Sequence, residues 1–260
     1  MKKAGLFTIL ACLLHMYGAS QDFEVGPAKL LFDAEPGQIQ SKTLFVRNHS
    51  NTKQQFVLLV GDMKMDTSKT IQKLKSCAAW ITLNPSFFEI NPNESKDVNV
   101  ILQVPPGESS TKGAMIFVNA AEEKTALGAD IQMKSSIKVS PRIAVKVIQS
   151  PKSNTNYLGN LSDLKETTSP KDSLRTFQVK VFNSGDKMID GKLYLVLSNI
   201  ETGKEVKQKP ERVYLFPGAS SVMTLRMPAT VLPGKYSLAA ILDYGNNSSL
   251  EAVQMNVEVK

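Results

Sequence analysis

Apolar side chains at every second position constrain this chain more than any other feature. Val98, Val100, Leu102 and Val104 alternate with Asn99, Ile101 and Gln103. Ile131, Met133, Ile137 and Val139 alternate with Gln132, Lys134, Ser136 and Lys138. The same period recurs at Phe177, Val179 and Val181, at Leu193, Leu195 and Leu197, and at Met255, Val257 and Val259. Successive side chains of a strand point to opposite faces, so each set can line a core while its neighbours meet water. Between these runs stand Pro36-Gly37, Asn91-Pro92-Asn93, Pro105-Pro106-Gly107, Asn183-Ser184-Gly185, Asp190-Gly191, Pro217-Gly218 and Pro233-Gly234. These residues favour the fixed or left-handed backbone of turns. Many short strands parted by turns predict an all-β sandwich architecture. Residues 69–75 offer a single helical turn, with Ile71 and Leu74 inward.

The pattern runs twice. Phe45-Val46-Arg47-Asn48, Pro92-Asn93-Glu94-Ser95, Val104-Pro105 and Gly113-Ala114-Met115 come in the first half. Lys180-Val181-Phe182-Asn183, Pro217-Gly218-Ala219-Ser220, Met227-Pro228 and Gly234-Lys235-Tyr236 follow in the same order in the second. Two copies of one sandwich plan would produce this order. The polar stretch Ser150-Pro151-Lys152-Ser153-Asn154 is the expected boundary, with Ser140-Pro141 the alternative.

The N-terminus points to export. Met1-Lys2-Lys3 is positive, residues 4–17 are largely apolar, and Gly18-Ala19-Ser20 supplies small residues for cleavage after Ser20. That order is a secretory signal peptide over residues 1–20, too short to span a bilayer, which takes roughly 20 apolar residues. Ile9-Leu10-Ala11-Cys12 offers a lipoprotein alternative. The remaining 240 residues suit two domains of ordinary size. No later segment is apolar enough to span a membrane. Loss of Lys2 and Lys3 leaves 29 basic against 24 acidic residues, so +7 becomes +5. A mild, dispersed surplus describes a solvated surface and not a nucleic-acid site.

Catalytic chemistry has little to work with. The mature chain holds one histidine, His49, in the turn-like Asn48-His49-Ser50-Asn51, and one cysteine, Cys77, beside Ala78, Ala79 and Trp80. One histidine and one cysteine make no transition-metal set and no disulfide, and Cys77 is expected to be a buried thiol. No serine stands in a G-x-S-x-G elbow, and residues 107–113 lack the spacing of a phosphate loop. The expectation is a non-enzyme without cofactor or metal.

The first half resembles a known family. Residues 23–48 read as strand, Pro-Gly turn, strand and Asn turn. Trp80-Ile81-Thr82-Leu83-Asn84-Pro85, Phe88-Glu89-Ile90-Asn91-Pro92-Asn93-Glu94-Ser95 and the run 98–105 follow. This order resembles the N-terminal domain of PapD-like periplasmic pilus-assembly chaperones, which are immunoglobulin-like sandwiches. The resemblance covers residues 22–140 and implies two tandem immunoglobulin-like β-sandwich domains, a PapD-like one over 21–149 and a second over 150–260.

The resemblance also implies a mechanism. Such chaperones donate an edge strand to a fibre subunit, and a basic pair anchors the subunit's C-terminal carboxylate. The donor strand here would be residues 131–139, with Ile131, Met133, Ile137 and Val139 on one face and Ser135 interrupting it. Lys29, in Ala28-Lys29-Leu30-Leu31-Phe32, matches the first anchor, and Lys134 or Lys138 would be the second. Lysine supplies a cation without the planar fork of arginine. The expected partners are β-rich subunits of a fimbria or surface fibre, met in the periplasm. An exposed apolar edge invites aggregation, so self-association or the loop 120–129 should cover it at rest. The alternative is a surface or envelope scaffold of two such domains. The chain ends at Val259-Lys260 without an anchoring segment, which favours the chaperone.

Overall fold

A computed structural model describes residues 22–67, 70–121, 141–169, 172–228, 230–245 and 250–259, with backbone alone for 65–67 and 70–73. The expected alternation is visible in the core. Val98, Val100 and Leu102 are fully buried, as are Phe177, Val179 and Val181, and Leu193, Leu195 and Leu197. Residues 131–139 lie outside the described residues.

Four large sheets pack as two sandwiches. In the first, one sheet runs β1 (Phe23–Gly26), β3 (Ile39–Asn48), β9 (Ser95–Gln103), β7 (Ile81–Asn84). The other runs β2 (Lys29–Phe32), β11 (Arg142–Gln149), β10 (Lys112–Ala121), β4 (Gln54–Asp62), β8 (Phe87–Ile90). Between them lies one apolar core, with the Phe56 ring 5.2 Å from Phe23 and 5.9 Å from Phe88. The N-terminal strand changes sheets at Gly26-Pro27, because proline has no N–H with which to continue the ladder. After the change, β2 lies parallel to β11, whereas β1 is antiparallel to β3.

Residues 64–73 correct one expectation. They form a hairpin of β5 (Lys64–Thr67) and β6 (Thr70–Lys73) instead of a helical turn over 69–75. Two apolar residues cannot meet the cost of nucleating a helix, whereas a hairpin pairs the backbone at once. Leu74 is buried, as expected. Among the described residues the one helical element is the 3-10 turn Ala78–Trp80.

The second sandwich repeats the plan. One sheet is β12 (Gly159–Glu166), β13 (Thr176–Asn183), β17 (Ser220–Arg226). The other centres on β14 (Ile189–Asn199), which pairs with β15 (Glu205–Lys207), β16 (Glu211–Leu215) and β18 (Gly234–Asp243); β19 (Glu251–Val259) adds to β18.

The repeat extends to single hydrogen bonds. Asn48 ends β3 and Asn183 ends β13, and both are fully buried. Asn48 Nδ2 donates to the carbonyls of Thr52 (2.7 Å) and Ile90 (3.1 Å), and its Oδ1 accepts from Ser50 N (2.9 Å). Asn183 Nδ2 donates to the carbonyls of Lys187 (2.9 Å) and Leu215 (3.0 Å), and its Oδ1 accepts from Gly185 N (3.0 Å). One side chain in each half thus ties a turn to the strand end across the sandwich, satisfying groups that burial would otherwise orphan.

The two sandwiches touch through a shared apolar seam. Met63, Leu74 and Ile148 from the first pack in the core cluster of the second, beside Phe216. Gly113 is buried there, and an added Cβ would sit 3.2 Å from both the Met63 sulfur and the Phe216 ring. Thr111 is fully buried at the same seam: its N–H donates to Asp186 O (2.8 Å), and its hydroxyl meets Ser150 Oγ (2.9 Å) and accepts from Met188 N (3.2 Å).

Candidate protein-binding face

The second sheet of the first sandwich presents its outer face near this seam. β2 and β11 run parallel in the register Lys29 beside Lys146, Leu30 beside Val147 and Leu31 beside Ile148. Lys29 and Lys146 are both exposed. Neighbouring residues of paired strands share a face, so the two lysines leave the sheet side by side. Neither forms an ion pair among the described residues. Lys29 sits on the strand expected of it, and Lys134 and Lys138 lie outside the described residues. Lys146 was not among the expected anchors. Its signal was the alternation of Val145 and Val147, which turns Lys146 outward. The pairing with Lys29 was not legible, because parallel partners far apart in sequence leave no local trace.

β11 is paired unevenly. Residues 142–149 all pair with β10, but only 146–149 pair with β2. No described strand covers the other edge of residues 142–145. Ile131, Met133, Ile137 and Val139 precede this edge in the chain and lie outside the described residues.

The sheet that carries this edge exposes several large apolar side chains. Leu31 on β2, Leu59 on β4 and Phe87 on β8 are 50%, 51% and 56% exposed. Phe117 on β10 lies between Leu59 and Ala144 in register. Its ring covers Gly61, where a Cβ would meet it at 3.0 Å, and the Arg142 guanidinium stacks 3.8 Å from its centre. Leu59, Phe117 and Phe87 adjoin across β10, β4 and β8, with Arg142 beside them, and exposed apolar side chains edged by a cation suit contact with another protein.

Reactive groups elsewhere are quiet. Cys77 is fully buried, as expected, and burial pushes its thiol up to about 12, so it stays protonated. Trp80 packs partly against the first core, with Lys112 Nζ 4.5 Å from its ring centre. His49 is exposed and lies 3.1 Å from Glu24. Among the described residues no group of three His, Cys, Asp or Glu could hold a metal, and no helix is long and apolar enough to cross a membrane.

No protein-family model matches the chain, and no curated protein does either. Solved structures do. One chain of a chaperone–tip adhesin complex vital for activating CFA/I fimbriae biogenesis is similar over 92% of this chain and 100% of its own, at 13% identity and a TM-score of 0.51. The class 5 fimbriae chaperone CfaA is similar over 92% and 99% (12% identity, TM-score 0.48), and the E. coli chaperone DraB over 90% and 98% (16%, 0.43). The chain therefore has the fold of the PapD-like chaperones: all-β, two tandem immunoglobulin-like β-sandwiches, the first PapD-like.

Proposed function

We propose that this chain is an exported, periplasmic, chaperone-like protein that binds subunits of a surface fibre by lending them a strand. The single observation that supports this most is the conjunction at β11. Residues 142–145, whose outer edge no described strand covers, adjoin two exposed cations, Lys29 and Lys146, that form no ion pair among the described residues. In this reading residues 131–139 extend β11 along that edge. Ile131, Met133, Ile137 and Val139 fill the open core of the subunit, while main-chain hydrogen bonds supply affinity. Lys29 and Lys146 receive the subunit's carboxylate, Lys146 taking the place first given to Lys134 or Lys138. The exposed Leu31, Leu59 and Phe87 meet the body of the subunit. The domains are residues 21–149 and 150–260, after a signal peptide over 1–20. The protein works by binding, without catalysis, cofactor or nucleic acid, and self-association covers the donor edge at rest.

Capture of partners from a periplasmic extract tests this. Tagged residues 21–260 should recover a small β-rich subunit, and Ile137→Asp, shown to remain folded, should lose it. Equal recovery by both would end strand donation as the mechanism. Recovery of no protein by either would favour the envelope scaffold.

A further inference from the structure

We propose that the flank of the second sandwich along β17 takes an extended strand of a partner protein, apolar on one face of that strand and acidic on the other. The proposal is independent of strand donation by the first sandwich. β17 ends its sheet: it pairs with β13 in an unbroken register, and no described strand lies on its other side. The opposite edge of the same sheet is protected. β12 is irregular between Ser162 and Lys165, Asp163 has a φ of 55°, and β19 of the facing sheet lies against it. Irregularity and cover are ordinary defences of a sheet edge, and the seven residues of β17 have neither among the described residues.

Two hydrogen bonds fix which groups of β17 face outward. Asn183 N–H donates to Ala219 O at 2.9 Å just before the strand, and Met227 N–H donates to Arg175 O at 2.8 Å just after it. Main-chain pairing alternates along an antiparallel ladder, so Ala219, Ser221, Met223, Leu225 and Met227 turn their N–H and C=O groups to β13. Those of Val222, Thr224 and Arg226 therefore point away from the sheet, and all three residues are exposed. An added strand pairs with such a row of main-chain donors and acceptors.

The surroundings of this edge decide the partner. At the end of β17 lies an open hollow of about 500 Å³, lined from both sheets. Leu174 ahead of β13, Pro210 between β15 and β16, and Pro228 past β17 give it apolar walls. Its charged groups are Lys207, Lys209 and Arg226 against one acid, Glu211. Lys209 and Arg226 form no ion pair among the described residues. Lys207 Nζ stands 3.8 Å from the Tyr194 ring centre, and Gln208 Nε2 donates to Glu211 at 3.4 Å. Lys180, exposed and in register with Val222, adds a cation on the outer face. Side chains of an added strand alternate between the hollow and the outer face. Apolar residues at one set of positions fill the hollow, and carboxylates at the other meet Lys180 and Arg226. A basic strand would set like charges against these cations.

Anisotropy titration of residues 21–260 with two labelled peptides tests this, one alternating Val and Glu, the other alternating Val and Lys. The wild type should bind the Glu peptide on the order of tenfold more tightly than the Lys peptide. Thr224→Pro removes an outward N–H while leaving the ladder to β13 intact, and should weaken the Glu peptide about tenfold. Lys209→Ala and Arg226→Ala should each weaken it about threefold. Thermal melts establish that each variant is folded. Amide exchange of the wild type needs no variant: Val222, Thr224 and Arg226 should slow when the Glu peptide is added. Binding of neither peptide, equal binding of both, or undiminished affinity in folded Thr224→Pro would overturn the proposal. Slowing confined to residues 142–145 would also overturn it, by placing the peptide on the first sandwich.

Discussion

Asn48 and Asn183 carry more of the fold than their size suggests. Each is fully buried and serves two carbonyls and an amide at once. Removing the side chain orphans those groups, at roughly 1–3 kcal/mol for a buried polar group. Asn48→Ala and Asn183→Ala should each lower stability by about 2–3 kcal/mol in urea unfolding, whereas exposed Asn160→Ala should change little. Cys77 gives a second residue-scale test. Its folded thiol ionises only near about 12, against 9.0 as the ordinary value. Above that ordinary value the unfolded chain can release the proton and the folded chain cannot, so stability is full below it and falls as pH rises towards the folded value. Cys77→Ala should flatten that alkaline decline in melting temperature relative to wild type. The inward alternation and the buried thiol were legible because each depends on neighbours in sequence. The twin asparagines appeared in the sequence only as turn residues, because burial and carbonyl partners in another strand leave no local mark.

At the scale of elements, the segment after β11 is fastened on both sides. Lys152 pairs with Asp33 at 2.7 Å, and Ser153 donates both its N–H (3.0 Å) and its hydroxyl to Glu35. Lys187 Nζ donates to Pro151 O at 2.5 Å, and Asn154 Nδ2 to Ser109 O at 2.8 Å. Asp33 is held low first by its hydrogen bond from Lys152, and Glu35 first by that from Ser153. A depressed carboxylate stabilises the fold above its unfolded value, about 4, and that contribution is lost as pH falls through the lower folded value. Protection of the amides of residues 152–154, taken relative to their intrinsic exchange rates, should therefore fall below about pH 4 before that of the sandwich cores. Glu35→Gln should show faster exchange there already at neutral pH. Turn signals located this segment, but the clasp joins residues far apart in sequence. The hairpin β5–β6 was missed for a related reason: a short apolar spacing fits several local structures, and its partner strand decides.

The whole molecule is two sandwiches held at one seam, where Gly113 allows Phe216 and Met63 to close over β10. A larger residue there should wedge the halves apart without emptying either core. Gly113→Val is expected to raise the radius of gyration in small-angle scattering and to separate thermal unfolding into two steps. Unchanged scattering and a single transition would mean that the seam does not set the arrangement. The two-sandwich plan was legible from period-two runs and their repetition. The parallel β2–β11 pairing, and with it the Lys29–Lys146 pair, emerges only once the N-terminal strand has changed sheets.

The most direct test of strand donation is hydrogen exchange over residues 131–145, compared for the chain alone and with a captured subunit. The account predicts that binding slows exchange across 131–139 and along the open edge of 142–145, because a new strand ladder forms there. A subunit that binds tightly while these amides exchange as fast as in the free chain would contradict strand donation outright.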